Sequence, residues 1–156
     1  GGLNPDRFQV QWDDDKKPLV WLWGGTGGGK TSSGWRLARK HFEIGNRINW
    51  FRQLRFGTSY AESGAAYKTD SWIAELCRRD SFLFIDDIGK AQWSAGAYGA
   101  FWEILDTRCG EGSQTLITCQ HSPDDMRRIW SDTPNAREIA TPFMRRANKG
   151  KIIQVK

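Results

Sequence analysis

The feature that most restricts this sequence is residues 24–31, Gly-Gly-Thr-Gly-Gly-Gly-Lys-Thr. They satisfy the pattern G-x-x-x-x-G-K-[ST], and both flanks give the pattern its meaning. Leu19, Val20, Trp21, Leu22 and Trp23 form a short apolar run cut off by glycine, the mark of a buried parallel strand. Trp35, Ala38 and Phe42 then recur at three-to-four spacing, predicting a helix over 31–44 closed by Gly45. In a strand, glycine loop, helix unit the loop N–H groups turn inward around phosphate oxygens, and the helix N-terminus adds favourable potential for negative charge. A flexible glycine linker with a chance lysine would need neither flank. The pattern assigns Gly25, Thr26, Gly27, Gly28, Gly29, Lys30 and Thr31 to a nucleotide, ATP or ADP. Lys30 reaches its β- and γ-phosphates, and the Thr31 hydroxyl ligates Mg²⁺.

Such a site needs an acid at the end of another central strand, because Mg²⁺ takes oxygen ligands from across the phosphate crevice. Phe82, Leu83, Phe84 and Ile85 run straight into Asp86 and Asp87. Asp86 is expected to hold the metal and Asp87 to orient or deprotonate the attacking water. Without the glycine loop, two carboxylates at a strand end would read equally well as the start of a turn.

Further apolar runs complete the pattern. A second strand is expected within 48–56, interrupted by Arg52 and Arg55, followed by a loop or short, poorly defined helix over 57–70 and a helix over 71–79. Phe101, Trp102 and Leu105 mark another helix, residues 115–118 a fourth strand, and 151–155 a fifth. Ser122 is placed to cap a helix over 123–130. Strands alternating with helices imply an α/β fold, a parallel five-stranded sheet with helices on both faces. Trp21, Trp23, Trp35 and Trp102 fall inside these elements and are expected in the core.

A chain of 156 residues suits one domain, with residues 1–17 an irregular lead-in and 18–156 the folded unit. Hydrophobic residues at 38% and charged residues at 26% exclude a disordered chain. No apolar run approaches the roughly 18 residues of a spanning helix, so no membrane partner is expected. Cys77, Cys109 and Cys119 lack the spacing of a zinc site or a disulfide framework and read as reduced thiols of a cytosolic protein. The net charge is +5, and residues 127–156 hold eight basic against two acidic residues, which suits either a polyanionic partner or an ordinary solvated surface. The start at Gly-Gly-Leu is what an excised C-terminal domain of a longer protein would show.

Four stretches together resemble the AAA+ ATPases of the DnaC type, the bacterial and phage replicative helicase loaders and the related ATPase helpers of insertion-sequence transposases. They are the loop at 24–31, the strand and acid pair at 82–89, residues 104–108 leading to Thr115-Leu-Ile-Thr-Cys-Gln-His-Ser at 115–122, and Pro142-Phe-Met-Arg-Arg-Ala at 142–147 with Ile152-Ile-Gln-Val beyond. The resemblance spans residues 18–156. It implies a P-loop NTPase fold with a reduced or absent lid, and ATP hydrolysis to ADP and phosphate. Gln120 stands where the family has a sensor asparagine, one methylene shorter. Arg145 matches the arginine finger that reaches a neighbouring subunit's nucleotide, with Arg146 next and Arg108 a weaker candidate for a subunit contact.

The resemblance further implies a loader that self-associates through the Arg145 interface. Its partners would be single-stranded DNA and a replicative ring helicase, engaged through an absent N-terminal domain, in a bacterial or phage-infected cytoplasm. Arg52, Arg55, Phe56, Tyr60, Tyr67 and Lys68 mix cations with aromatics as single-strand binders do, and as ordinary surfaces also do. A viral superfamily 3 DNA helicase domain and an ATP-dependent transposition adaptor use the same loop and acid pair, and both remain open at this point.

Overall fold

The computed structural model describes residues 17–25, 27 and 29–155. The expected lead-in therefore lies outside the described residues except for Lys17, as do Thr26 and Gly28 of the phosphate loop. Eleven elements follow in the order β1 (Leu19–Trp23), α1 (Lys30–Glu43), β2 (Arg47–Arg52), α2 (Gln53–Ala65), α3 (Thr69–Leu76), β3 (Ser81–Ile88), α4 (Ala95–Glu111), β4 (Thr115–Cys119), α5 (Pro123–Ser131), α6 (Arg137–Lys149) and β5 (Lys151–Gln154). The strands form one sheet in the order β2-β3-β4-β1-β5, every neighbouring pair parallel. Strand β4 thus lies between the loop-bearing β1 and the acid-bearing β3.

Strand alternation divides the core into two unequal layers. Val20, Leu22, Phe82, Phe84 and Leu116 point to one face, where α1 covers them with Leu37 and Ala38. Leu19, Trp21, Leu83, Ile85 and Ile117 point to the other, into a larger cluster built by α2 to α6. That cluster is aromatic: Phe143 of α6 packs near Trp21, Phe101 and Trp130, and Phe56 of α2 meets Phe101 and Trp93. Burying each such side chain contributes on the order of 1.5–3 kcal/mol.

The second strand, expected within 48–56, spans Arg47–Arg52. It ends at Arg52, and α2 begins at Gln53 and runs through most of the segment expected as a loop or a short, poorly defined helix. Gly57 and Gly64 disguise this helix, but a Cβ at Gly57 would lie only 2.7 Å from the Trp93 ring, so close packing excludes any larger residue there. Phe56 is fully buried and unavailable to stack on a base. Of the four tryptophans expected in the core, Trp21 is buried, while Trp23 and Trp102 are half-buried. Trp35 is 42% exposed, because α1 carries it out over the edge strand, where its ring rests on Trp50 and against Phe84. The Ser122 cap forms as expected, its hydroxyl accepting from the Asp125 N–H at 3.2 Å.

Candidate functional site

The phosphate loop leaves β1 at Gly24, whose N–H donates to the Cys119 carbonyl of β4 at 3.1 Å. A Cβ on Gly24 would meet the Val155 carbonyl oxygen at 2.2 Å, so only glycine lets the loop start between its two neighbouring strands. Gly29 then turns the chain into α1 through a left-handed conformation at φ 80°. Lys30, only 7% exposed, folds back into the loop and donates to the carbonyls of Gly24 and Gly25 at 2.8 and 2.9 Å. Among the described residues no carboxylate pairs with it. A buried ammonium held only by backbone carbonyls at a helix N-terminus fits a phosphate.

The first turn of α1 reaches the acid pair. Thr31 Oγ1 donates to Asp86 at 3.2 Å from Oδ1 and 3.0 Å from Oδ2, and Asp86 is 1% exposed. A hydroxyl beside a carboxylate is the hard-oxygen donor set that suits Mg²⁺, which takes one or two protein ligands and completes its shell with water and phosphate oxygens.

Asp86 and Asp87 diverge because the ladder between β3 and β4 slips there. Ile85 pairs with Ile117 but Ile88 with Cys119, so three steps along β3 match two along β4. Asp87 takes up the extra residue at φ 61°, a left-handed conformation costing roughly 1–2 kcal/mol outside glycine. The bulge keeps Asp86 inward, while the Asp87 side chain remains partly exposed, with Lys90 Nζ 3.5 Å away. Sequence reasoning missed the residue that closes this bulge. Thr118 of β4 is fully buried; its hydroxyl accepts from the Asp87 N–H at 2.9 Å and donates to Asp86 Oδ1. The only sequence signal is a hydroxyl residue at the C-terminal end of an apolar strand.

Gln120 follows β4 directly and is exposed at the same end of the sheet. Its segment is tied to β1 on both sides, through the Gly24 to Cys119 bond and through Trp21 Nε1 donating to the His121 carbonyl at 3.0 Å. Lys30, Thr31, Asp86, Asp87 and Gln120 therefore gather at the C-terminal ends of β1, β3 and β4. Arg145 does not join them. It lies in the last turns of α6, which ends at Gly150 beside Leu19, the first residue of β1, so this helix leads to the opposite, N-terminal end of the strands. Arg145 is exposed and has no ion pair among the described residues, whereas Arg146 is bound to Asp106 of α4 at 2.7 Å. Among the described residues, Arg145 is thus the one of the two without an ion-pair partner.

Arg108, expected as a weaker subunit contact, is instead an interior residue. It is fully buried and donates to Thr115 Oγ1, the Leu76 carbonyl, Ser81 Oγ, the Ser81 carbonyl and the Gln114 carbonyl at 2.7–3.0 Å. Its planar fork ties α3, α4, β3 and β4 together, and burial pulls its pKa down to about 10.

No family model matches the sequence and no curated protein matches it. Solved structures do. The replication initiator DnaA bound to AMPPCP and single-stranded DNA aligns with 92% of this chain at a TM-score of 0.74 and 15% identity. DnaI aligns with 92% at a TM-score of 0.73, and the DnaC helicase loader with 92% at 0.68, both at 17% identity. The chain spans about two fifths of the length of the first initiator chains it matches, 40% and 42%, and 77% and 82% of the DnaI and DnaC chains. Among the described residues no helix is long and apolar enough to cross a membrane. At 15–17% identity the likeness is one of architecture: this chain has the parallel five-stranded α/β fold of the AAA+ P-loop domains in DnaA, DnaI and DnaC.

Proposed function

We propose that this chain is the ATP-binding and ATP-hydrolysing domain of a replicative helicase loader, acting in the initiation of DNA replication in the cytoplasm of a bacterium or a phage-infected bacterial cell. The observation that carries the reading is the buried Lys30 ammonium inside a glycine loop, next to the Thr31 hydroxyl that touches Asp86. The architectural likeness to DnaI and to the DnaC helicase loader favours a loader over other nucleotide-binding proteins.

In this reading Lys30 and the loop N–H groups hold the phosphates of ATP or ADP. Thr31 and Asp86 hold Mg²⁺, which when bound neutralises phosphate charge. Asp87 orients water and takes its proton, and the Gln120 amide donates toward the γ-phosphate side. Arg145, on the helix that leads away from its own loop to the other end of the strands, stabilises charge on the phosphoryl group of a neighbouring copy, so the domain self-associates. Single-stranded DNA is contacted by the exposed members of the cation and aromatic mixture, Arg52, Arg55, Tyr67 and Lys68. A ring helicase is engaged through a domain that precedes this one in a longer protein.

Binding of the full-length protein to purified ring helicase or purified transposase tests the partner. Helicase binding supports the loader reading; binding to transposase alone, or duplex unwinding by the protein without another helicase, overturns it. Self-association is tested by mixing Lys30→Ala and Arg145→Ala proteins under conditions where both assemble. Each is inactive alone, and the mixture regains ATPase activity at interfaces that pair an intact loop with an intact finger. An assembled mixture as inactive as its components removes Arg145 from the site.

A further inference from the structure

We propose that Thr118 is the positioning residue of the nucleotide site, a clip that couples Asp86 to Asp87 through one hydroxyl. The inference rests on the nucleotide-binding reading above and goes beyond it, because Thr118 belongs neither to the phosphate loop nor to the acid pair.

The geometry follows from the bulge. An extra residue in a strand leaves its backbone without a ladder partner, and here that residue lies where the two acids must point in different directions. The Asp87 N–H would be an orphan donor beside a fully buried strand. Thr118 Oγ1 accepts it at 2.9 Å and donates its own hydroxyl hydrogen bond to Asp86 Oδ1. A hydroxyl has one proton and two lone pairs, so a single oxygen fills both roles at once. Valine has the same shape and can fill neither. Thr118 therefore acts on both acids from β4, the strand inserted between β1 and β3.

The second hydroxyl on Asp86 gives the clip its consequence. Thr31 also donates to Asp86, and in the nucleotide-binding reading Thr31 would be the loop's own metal ligand. Once its oxygen turns to Mg²⁺, Thr118 is the remaining threonine donor that fixes the Asp86 carboxylate. Loss of Thr118 should then weaken the metal-dependent part of nucleotide binding while sparing the part carried by Lys30 and the loop. It should also lower kcat more than it raises KM, because the conformation of Asp87 depends on the same hydroxyl.

The experiment compares wild type, Thr118→Val and Thr118→Ser in the full chain. ADP affinity is measured with Mg²⁺ and with EDTA, kcat and KM for ATP are determined, and the exchange of the Asp87 amide is followed by NMR. Residues that orient metal ligands typically contribute about 10–100-fold, so Thr118→Val should lose roughly that much of the Mg²⁺-dependent gain in ADP affinity and of kcat. Its affinity in EDTA should stay within about twofold of wild type, and Thr118→Ser should restore both losses. In wild type the Asp87 amide should be protected from exchange, a readout that stands even if Thr118→Val does not fold. Rapid exchange of that amide, or a folded Thr118→Val with wild-type Mg²⁺ dependence and kcat, overturns the proposal. If wild type itself binds no ADP with Mg²⁺, the nucleotide reading falls and takes the clip with it; if wild type binds and Thr118→Val behaves identically, the clip alone falls.

Discussion

Thr31 Oγ1 lies 3.0 Å from Asp86 Oδ2, joining the first turn of α1 to the end of β3 across a sheet in which their two parent segments are separated by β4. Residues 55 positions apart in sequence thus form one oxygen-lined point beside a buried lysine. In the proposed reading, the contact divides the site into a part that would hold phosphate and a part that would hold metal.

That division predicts a graded response to nucleotide. A ligand bound only by the folded state stabilises by about 2.7 kcal/mol at a hundredfold excess over Kd, or roughly 5–10 °C in Tm for a domain of this size. ATP or ADP with Mg²⁺ should give such a shift, and Lys30→Ala should abolish it. Asp86→Asn should keep the metal-free shift and lose the increment added by Mg²⁺. Thermal denaturation with and without EDTA measures both, and an undiminished response in Lys30→Ala would remove the phosphate loop from the argument.

Asp87 should behave differently from its neighbour. Its side chain is partly exposed and does not touch Thr31, so Asp87→Asn is expected to bind nucleotide normally while hydrolysis falls by about 10²–10⁴-fold. Phosphate release under saturating ATP is the measurement. Equal turnover in wild type and variant would show that Asp87 takes no proton.

Arg108 should matter for stability and not for assembly. Arg108→Met removes five hydrogen bonds and takes a donor from the carbonyls of Leu76, Ser81 and Gln114, at a cost of about 3–5 kcal/mol. Arg108→Lys should recover little, since an ammonium has three donors and no planar fork. Urea denaturation of the variants decides; a loss below about 1 kcal/mol in Arg108→Met would contradict the hub.

His41 supplies a pH dependence whose sign can be worked out. Its Nε2 is 2.7 Å from Gln114 Oε1 and its Nδ1 is 2.8 Å from Asn46 Nδ2, so the ring is neutral, donating from Nε2 and accepting at Nδ1. Burial pushes its pKa below the usual 6.5, opposed by the hydrogen bond to Gln114 and reinforced by the Arg108 charge. The unfolded chain therefore takes up a proton first as pH falls. The stability linked to His41 is fully present above pH 6.5 and is lost as pH drops through 6.5 toward the lower folded value. His41→Gln should decline less than wild type between about pH 7 and 5.5, and parallel declines would assign the effect to other groups.

The phosphate loop, the acid pair and the alternation of strands and helices were legible because each rests on local chemistry. Glycines flanked by an apolar run and a helical period have few other uses, and Asp86-Asp87 ends a run of four apolar residues. The extent of helix α2, expected only as a loop or a short helix, was not legible, because Gly57 and Gly64 lower local helix propensity while the reason for Gly57 is the Trp93 ring, 36 positions away. Trp35 matched the helical period of the core yet lies at the sheet edge, since a periodic pattern shows which face is apolar and not how far the underlying sheet extends.

The sequence by itself determined the nucleotide loop, the two acids and the α/β class, all carried by residues adjacent in the chain. Tertiary structure decided that Arg108 is interior, that Arg146 is occupied by Asp106 while Arg145 is not, and that Thr118 joins Asp86 to Asp87. The physical reason is the same in each case. Arginine and threonine are chemically suited to both surface and interior, and a role that depends on partners 27 to 40 positions away appears only when the packing of helices and strands brings those partners into hydrogen-bonding distance.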